Sequence, residues 1–224
     1  MKRISCIIFD LDGTLGQTND LIFATFNHLA ERYLGKKFAP EEIIAMFGPP
    51  EEIAIAKMLG DKFTSDAMNE YYRFYADHHL AMAKLHTGVR GLLEHLKATG
   101  FILAVFTGKG KRTTLVTLEK FGIKQYFDLI VTGSDVKNHK PSADGILNVL
   151  RTFSLNPTEV LMVGDAISDV KAAHDAGVLI AAVLWDSYSK HKILEMELDY
   201  IFHTVEEFET WVKKLAPPMG NVTV

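Results

Sequence analysis

The chain predicts an α/β fold built on a doubly wound parallel sheet, and three observations lead there. Short apolar runs recur at 4–9 (ISCIIF), 101–106 (FILAVF), 128–131 (DLIV), 159–163 (EVLMV) and 179–184 (LIAAVL). Continuous runs of this length suit strands covered on both faces. Helix-like segments at 111–122, 142–153 and 167–176 lie between the later runs, the alternation that builds parallel sheets. Gly100, Gly122 and Gly177 stand at or near the points where a helix would stop before the next strand.

The first run ends at Phe9 and is followed at once by Asp10, Asp12 and Gly13. The alternation then lapses. Residues 16–86 hold no strand-like run and read as helices at 19–34, 41–47, 51–59 and 65–84. Leu21, Ile22, Thr25, Phe26, Leu29 and Tyr33 fall at helical spacing. The expected organisation is a core of 1–15 and 87–216, a helical cap at 16–86 hinged near 15–18 and 85–88, and a tail at 217–224. A helix at 89–99 leads back into the core. Tyr71, Tyr72, Phe74 and Tyr75 are expected to form the core of the helical bundle.

With 48% hydrophobic and 23% charged residues the composition is that of a globular protein. Lys plus Arg number 24 against 28 Asp plus Glu, a net charge of −4, and no basic stripe marks a nucleic-acid surface. No run is apolar enough to span a bilayer, and the start of the chain is too short for a secretory leader. The single cysteine, Cys6, has no internal partner and reads as a small buried hydrophobe. These readings set expectations of a cytoplasmic protein with a small-molecule ligand and neither nucleic-acid nor membrane partners. Monomer and homodimer both stay open.

Ligands of open parallel sheets gather at the carboxyl ends of the strands. There the sequence delivers Asp10 and Asp12, then Thr107 and Gly108, then Lys140, and finally Asp165 and Asp169. Buried carboxylates are costly unless paired or metal-bound. Acid, hydroxyl and amine together suit phosphoryl transfer through an aspartyl-phosphate. A carboxylate would attack phosphorus, and Asp12 would serve as acid and base. Thr107, Gly108 and Lys140 would hold the phosphoryl oxygens. Mg²⁺ would sit between Asp10, Asp165 and the backbone carbonyl of Asp12. Asp169 fits either a supporting role beside the site or the capping of a helix.

The motifs "DLDGTL", a Thr after the second core strand, Lys140-Pro141 and "GDAISD" resemble the haloacid dehalogenase superfamily of phosphatases, over nearly the whole chain. The segments from "GFILAVFTGKGK" onward and around "NPTEVLMVGDAISD", with "FGPP" at 47–50, resemble its phosphoglycolate-phosphatase-like branch. The resemblance implies Asp10 as nucleophile, Asp12 as acid and base, Thr107 and Lys140 as phosphate ligands, Mg²⁺ held among Asp10, Asp12 and Asp165, and Asp169 holding Lys140 or metal-bound waters. It favours phosphoglycolate as substrate, with pyrophosphate, sugar phosphates and nucleoside monophosphates open. Gly16, Gln17 and Thr18 stand where the branch usually carries an acidic residue, Ser142-Ala143 replace the usual x-Pro, and Thr87-Gly88 a Pro-Gly. These departures bear on substrate, not on reaction.

A phosphomutase on the same architecture, or a receiver-type phospho-acceptor module without turnover, is the alternative reading. Carbon–halogen hydrolysis needs neither Asp12 nor Asp165. The stretch 107–114 (TGKGKRTT) lacks the spacing of a nucleotide phosphate loop. Lys109, Lys111 and Arg112 belong either to the mouth of the site or to a solvated helix start. Arg32, Lys36, Lys57, Arg73 and Lys84 are the candidate cap contacts to an anionic substrate. His78 and His79 point apart on their helix and are expected in solvent, and His139 reads as an ordinary loop residue.

Overall fold

The computed structural model describes residues 4–215. The expected tail at 217–224 and the outermost residues of the expected core lie outside them. The strands are β1 (Cys6–Phe9), β2 (Gly16–Gln17), β3 (Lys84–Leu85), β4 (Ile102–Phe106), β5 (Leu129–Val131), β6 (Val160–Gly164), β7 (Leu179–Val183) and β8 (Tyr200–Phe202). The helices are α1 (Asn19–Leu34), α2 (Pro40–Ile44), α3 (Glu51–Leu59), α4 (Ser65–Met82), α5 (Val89–Ala98), α6 (Lys111–Lys120), α7 (Asp144–Phe153), α8 (Ile167–Ala176), α9 (Lys190–Leu194) and α10 (Val205–Val212).

Six strands form one parallel sheet in the order β5-β4-β1-β6-β7-β8. Alternate residues of β1 face opposite ways, as the two-residue period of a strand requires. Ile7 and Phe9 join a core with Leu92, Leu96, Leu118 and Phe208 of α5, α6 and α10. Cys6 and Ile8 join another with Ile146, Val149, Val170 and Ala173 of α7 and α8. The sheet is thus covered on both faces, and Cys6 is fully buried with its thiol pushed up to about 12, chiefly by burial. β8 and α10 go beyond the expected elements. The run "YIF" is short and flanked by polar residues, so its pairing with β7 supplies what local pattern does not.

The register does the placing. Phe9 pairs with Val105 on one side and Val163 on the other, so the chains leave three adjacent strands at nearly the same level. Asp10, Thr107 and Asp165 follow within two residues of those pairs.

Between β2 and β3, an antiparallel pair joining Gly16 to Leu85 and Gln17 to Lys84, runs the helical insertion. Leu21, Phe26 and Leu29 of α1 pack on Tyr71 and Tyr75 of α4 in one cluster continuous with the core. His79 departs from expectation. It is wholly buried where α4 meets α6, its Nε2 within 3.1 Å of the Thr117 hydroxyl, which also meets the Tyr75 hydroxyl at 2.7 Å. Adjacent helical residues do point apart, so His78 is exposed while His79 faces the core. Burial, with the nearby Lys109 ammonium, lowers its pKa to about 4 and keeps the ring neutral.

Candidate active site

Lys140 organises the carboxyl edge of the sheet. Its Nζ donates to Asp10 Oδ1 at 2.7 Å and to Asp169 Oδ1 at 2.6 Å, with all three side chains buried. Asp165 completes the group. Asp10, Asp165 and Asp169 each bring one carboxylate oxygen within 4.8 Å of the others. Asp165 is oriented by the Thr14 hydroxyl, which donates to its Oδ1 at 2.8 Å. Two glycines leave room for this crowding. A side chain on Gly13, whose φ is +87°, would meet Asp165 Oδ2 at 2.4 Å, and one on Gly164 would meet Asp169 Oδ2 at 2.3 Å. Asp169 serves both of its expected purposes: Oδ1 takes Lys140, while Oδ2 accepts the Ala166 N–H at 3.0 Å where α8 begins.

Burial dominates the electrostatics. It lifts Asp10 to about 7 against the opposing pull of Lys140, and Asp169 adds to the rise. Asp165 is held well above the usual carboxylate range by burial first, then by Asp10 and Asp169. Lys140 goes the other way: burial disfavours its ammonium, but Asp10 and Asp169 outweigh that and raise its pKa. Two carboxylates that resist ionisation beside a third, with one lysine among them, form a site short of positive charge. The donors are all hard oxygens, the chemistry that suits Mg²⁺. The residues present therefore fit a divalent cation. Asp169, rather than the side chain of Asp12, is the third carboxylate of the group.

Asp12 is turned toward the insertion. It accepts from the Thr18 hydroxyl at 2.5 Å and from Lys109 Nζ at 3.2 Å. Lys109 is not on a solvated helix start; its side chain is buried, 3.8 Å from Glu51 Oε1 and above the Tyr75 ring at 4.7 Å. Burial works against its charge, yet Asp12, Tyr75 and Glu51 raise its pKa. Glu51 opens α3 and crosses to the core, accepting the Gly110 N–H at 2.6 Å and the Thr113 hydroxyl. Sequence reasoning did not single out Glu51, although it follows "FGPP" directly.

Thr107 and Gly108 line the same cavity, of about 300 Å³, together with Asp10, Asp12, Lys140 and Asp165. The "FGPP" loop closes on it. A side chain on Gly108 would meet Gly48 O at 2.5 Å, and one on Gly133 would meet Pro50 at 2.8 Å. Tyr71 also lines the cavity, so that aromatic is both bundle core and cavity wall. Arg32, Lys36, Lys57, Arg73 and Lys84 do not line it; all five are exposed on the insertion's outer surface. His139 sits half-buried in the loop before Lys140.

The carboxylate-centred site thus lies at the carboxyl edge of a parallel sheet, with a helical insertion forming part of its cavity wall. The family model for haloacid dehalogenase-like hydrolases matches residues 7–183, and the chain belongs to that family. It is 33% identical to the pyrophosphatase PpaX of Bacillus velezensis over 92% of this chain and 95% of that protein. Among solved structures, a haloacid dehalogenase-like hydrolase from Streptococcus pneumoniae has a TM-score of 0.77 at 28% identity, covering 95% of this chain and 100% of that one. A predicted phosphoglycolate phosphatase from Haemophilus somnus shares the fold, with a TM-score of 0.78 at 24% identity over 95% and 99% of the two chains. No helix among the described residues is long and apolar enough to cross a membrane.

Proposed function

We propose that the chain is a Mg²⁺-dependent phosphatase that hydrolyses a small phosphate monoester through an aspartyl-phosphate on Asp10. The observation that carries this reading is the convergence of Asp10, Lys140, and Asp165 with Asp169 from three separate segments onto one cavity. An Oδ of Asp10 attacks phosphorus, and the bond from phosphorus to the ester oxygen breaks. The leaving alkoxide takes its proton from Asp12. Water then attacks phosphorus and gives its proton to Asp12, the Asp10–phosphorus bond breaks, and phosphate leaves. Lys140 and the Thr107 hydroxyl meet the charge on the phosphoryl oxygens. A divalent cation held by Asp10 and Asp165, with the Asp12 carbonyl or Asp169 completing the set, would neutralise the carboxylates and the phosphoryl group. The insertion, 16–86, acts as the cap that excludes bulk water from the site. Lys109 and Thr18 hold the Asp12 carboxylate toward the cavity.

Phosphoglycolate is the substrate favoured by motif resemblance, and pyrophosphate is named for the Bacillus relative. Both leaving groups are anions, a point on which the cavity wall bears directly. Asp10→Asn abolishes hydrolysis of p-nitrophenyl phosphate while the circular dichroism spectrum is unchanged, and EDTA does the same to the unaltered protein. Activity surviving either treatment refutes the mechanism.

A further inference from the structure

We infer that the alcohol released from the substrate is uncharged and largely apolar, and that the cap selects it by hydrophobic contact rather than by ion pairing. This rests on the phosphatase reading and specifies the substrate of that same site. The cavity has two unlike walls. The core wall carries the carboxylates and Lys140. The insertion contributes Ile22, Phe26, Ile44, Met46, Phe47 and Ala54 to the other, with Asn19, Glu51 and Tyr71 as its polar members. Transfer of apolar surface from water onto such a wall is favourable, whereas a charge placed against it is costly unless paired.

Charge balance points the same way. The cavity is lined by the carboxylates of Asp10, Asp12, Glu51, Asp165 and Asp169 against the ammoniums of Lys109 and Lys140, an excess of three negative charges when all are ionised. Both ammoniums are already engaged, Lys140 by Asp10 and Asp169, and Lys109 by Asp12 and Glu51. A divalent cation and the phosphoryl dianion cancel each other, so the lining keeps an excess of negative charge, about two with Asp12 carrying the proton it gives to the leaving group. A further carboxylate or phosphate on the leaving group would add to it, with no arginine or unengaged lysine among the described residues that line the cavity. The acidic member of the cap wall, Glu51, would repel it.

The entrance repeats the pattern. Phe23 stacks on Phe47 with centroids 6.3 Å apart and meets Tyr188 at 6.1 Å, so an aromatic group spans from the insertion to the loop after β7. Phe47 and Tyr188 are 40% and 56% exposed, large apolar side chains kept at the mouth. Tyr71 lines the cavity, and its hydroxyl is buried without a hydrogen-bond partner among the described residues.

Benzyl phosphate and phosphoglycolate are both esters of primary alcohols, which makes their leaving groups comparable in basicity and different in charge and polarity. The expected result is a kcat/KM for benzyl phosphate at least tenfold above those for phosphoglycolate and pyrophosphate, most of it in KM. Met46→Lys, a change at a half-buried position, should raise kcat/KM for phosphoglycolate and lower it for benzyl phosphate, moving their ratio more than tenfold. Preference of the unaltered enzyme for phosphoglycolate or pyrophosphate overturns the inference and leaves the phosphatase reading intact. A Met46→Lys protein that folds but keeps the original ratio overturns the role given to the cap wall. Turnover of all three that survives Asp10→Asn overturns the underlying mechanism instead.

Discussion

Replacing Lys109 by Met tests how the insertion and the core are joined electrically. Lys109 Nζ lies 3.2 Å from Asp12 Oδ2 and 3.8 Å from Glu51 Oε1, with side-chain exposures of 3% for Lys109, 18% for Asp12 and 8% for Glu51. Removing one partner of a buried pair costs about 3–5 kcal/mol, because the remaining charge is left uncompensated. The partial exposure of Asp12 and the ability of Glu51, already raised by burial, to take up a proton place the expected loss near the lower bound, about 3 kcal/mol. With a urea dependence of about 2 kcal/mol per molar, the midpoint should fall by about 1.5 M. The assay is urea denaturation at pH 7 in EDTA, followed by fluorescence of Trp185 and Trp211. Glu51→Gln in the Lys109→Met background should cost less than in the unaltered protein, since no charge is then stranded. A Lys109→Met protein less than about 1 kcal/mol weaker, with strictly additive effects of the two changes, refutes the reasoning.

Two further predictions follow from the same packing. His79 is neutral in the folded chain with a pKa of about 4, whereas an unfolded His titrates near about 6.5. The unfolded state therefore binds more protons between those values, and stability falls as pH drops through that window, by up to about 3 kcal/mol. Denaturation midpoints at pH 7 and pH 4.5 should converge in His79→Gln; an unchanged pH slope in that variant would assign the effect elsewhere. Gly108→Ala sets a methyl group 2.5 Å from Gly48 O, so the "FGPP" loop must lift. KM should rise several-fold with little change in the thermal midpoint, and an unaltered KM would show that the loop does not cover the substrate.

Asp10, Thr107 and Asp165 were legible because each stands at the end of an apolar run, and strand register then carries it into place. Asp10 and Asp165 need only the register of β1 with β6 to become neighbours. Asp169 was readable as either cap or support, since one residue with two oxygens performs both tasks. Lys109 and Glu51 were not legible as a pair. Their meeting depends on how α3 sits over the loop after β4, and no local spacing encodes that. The five basic residues offered as candidate contacts show the same gap: local pattern places them on the insertion, but only packing decides which side chains look inward. His79 faces inward by the same logic, against the expectation for a polar residue in a helix. The sixth strand escaped because three residues carry too little pattern to declare themselves.

The small ribbon of β2 and β3 has a consequence for how such a molecule can change. The chain departs at Gln17 and returns at Lys84 as paired neighbours, about 5 Å apart. Any helical unit whose two ends can be brought that close could be exchanged at this point without shifting a single register of the main sheet. The proposed chemistry and the proposed selectivity are therefore largely separable here: recombination or drift within 18–83, outside Thr18 and Glu51, would retune what is admitted while Asp10, Lys140 and Asp169 stay where the sheet puts them.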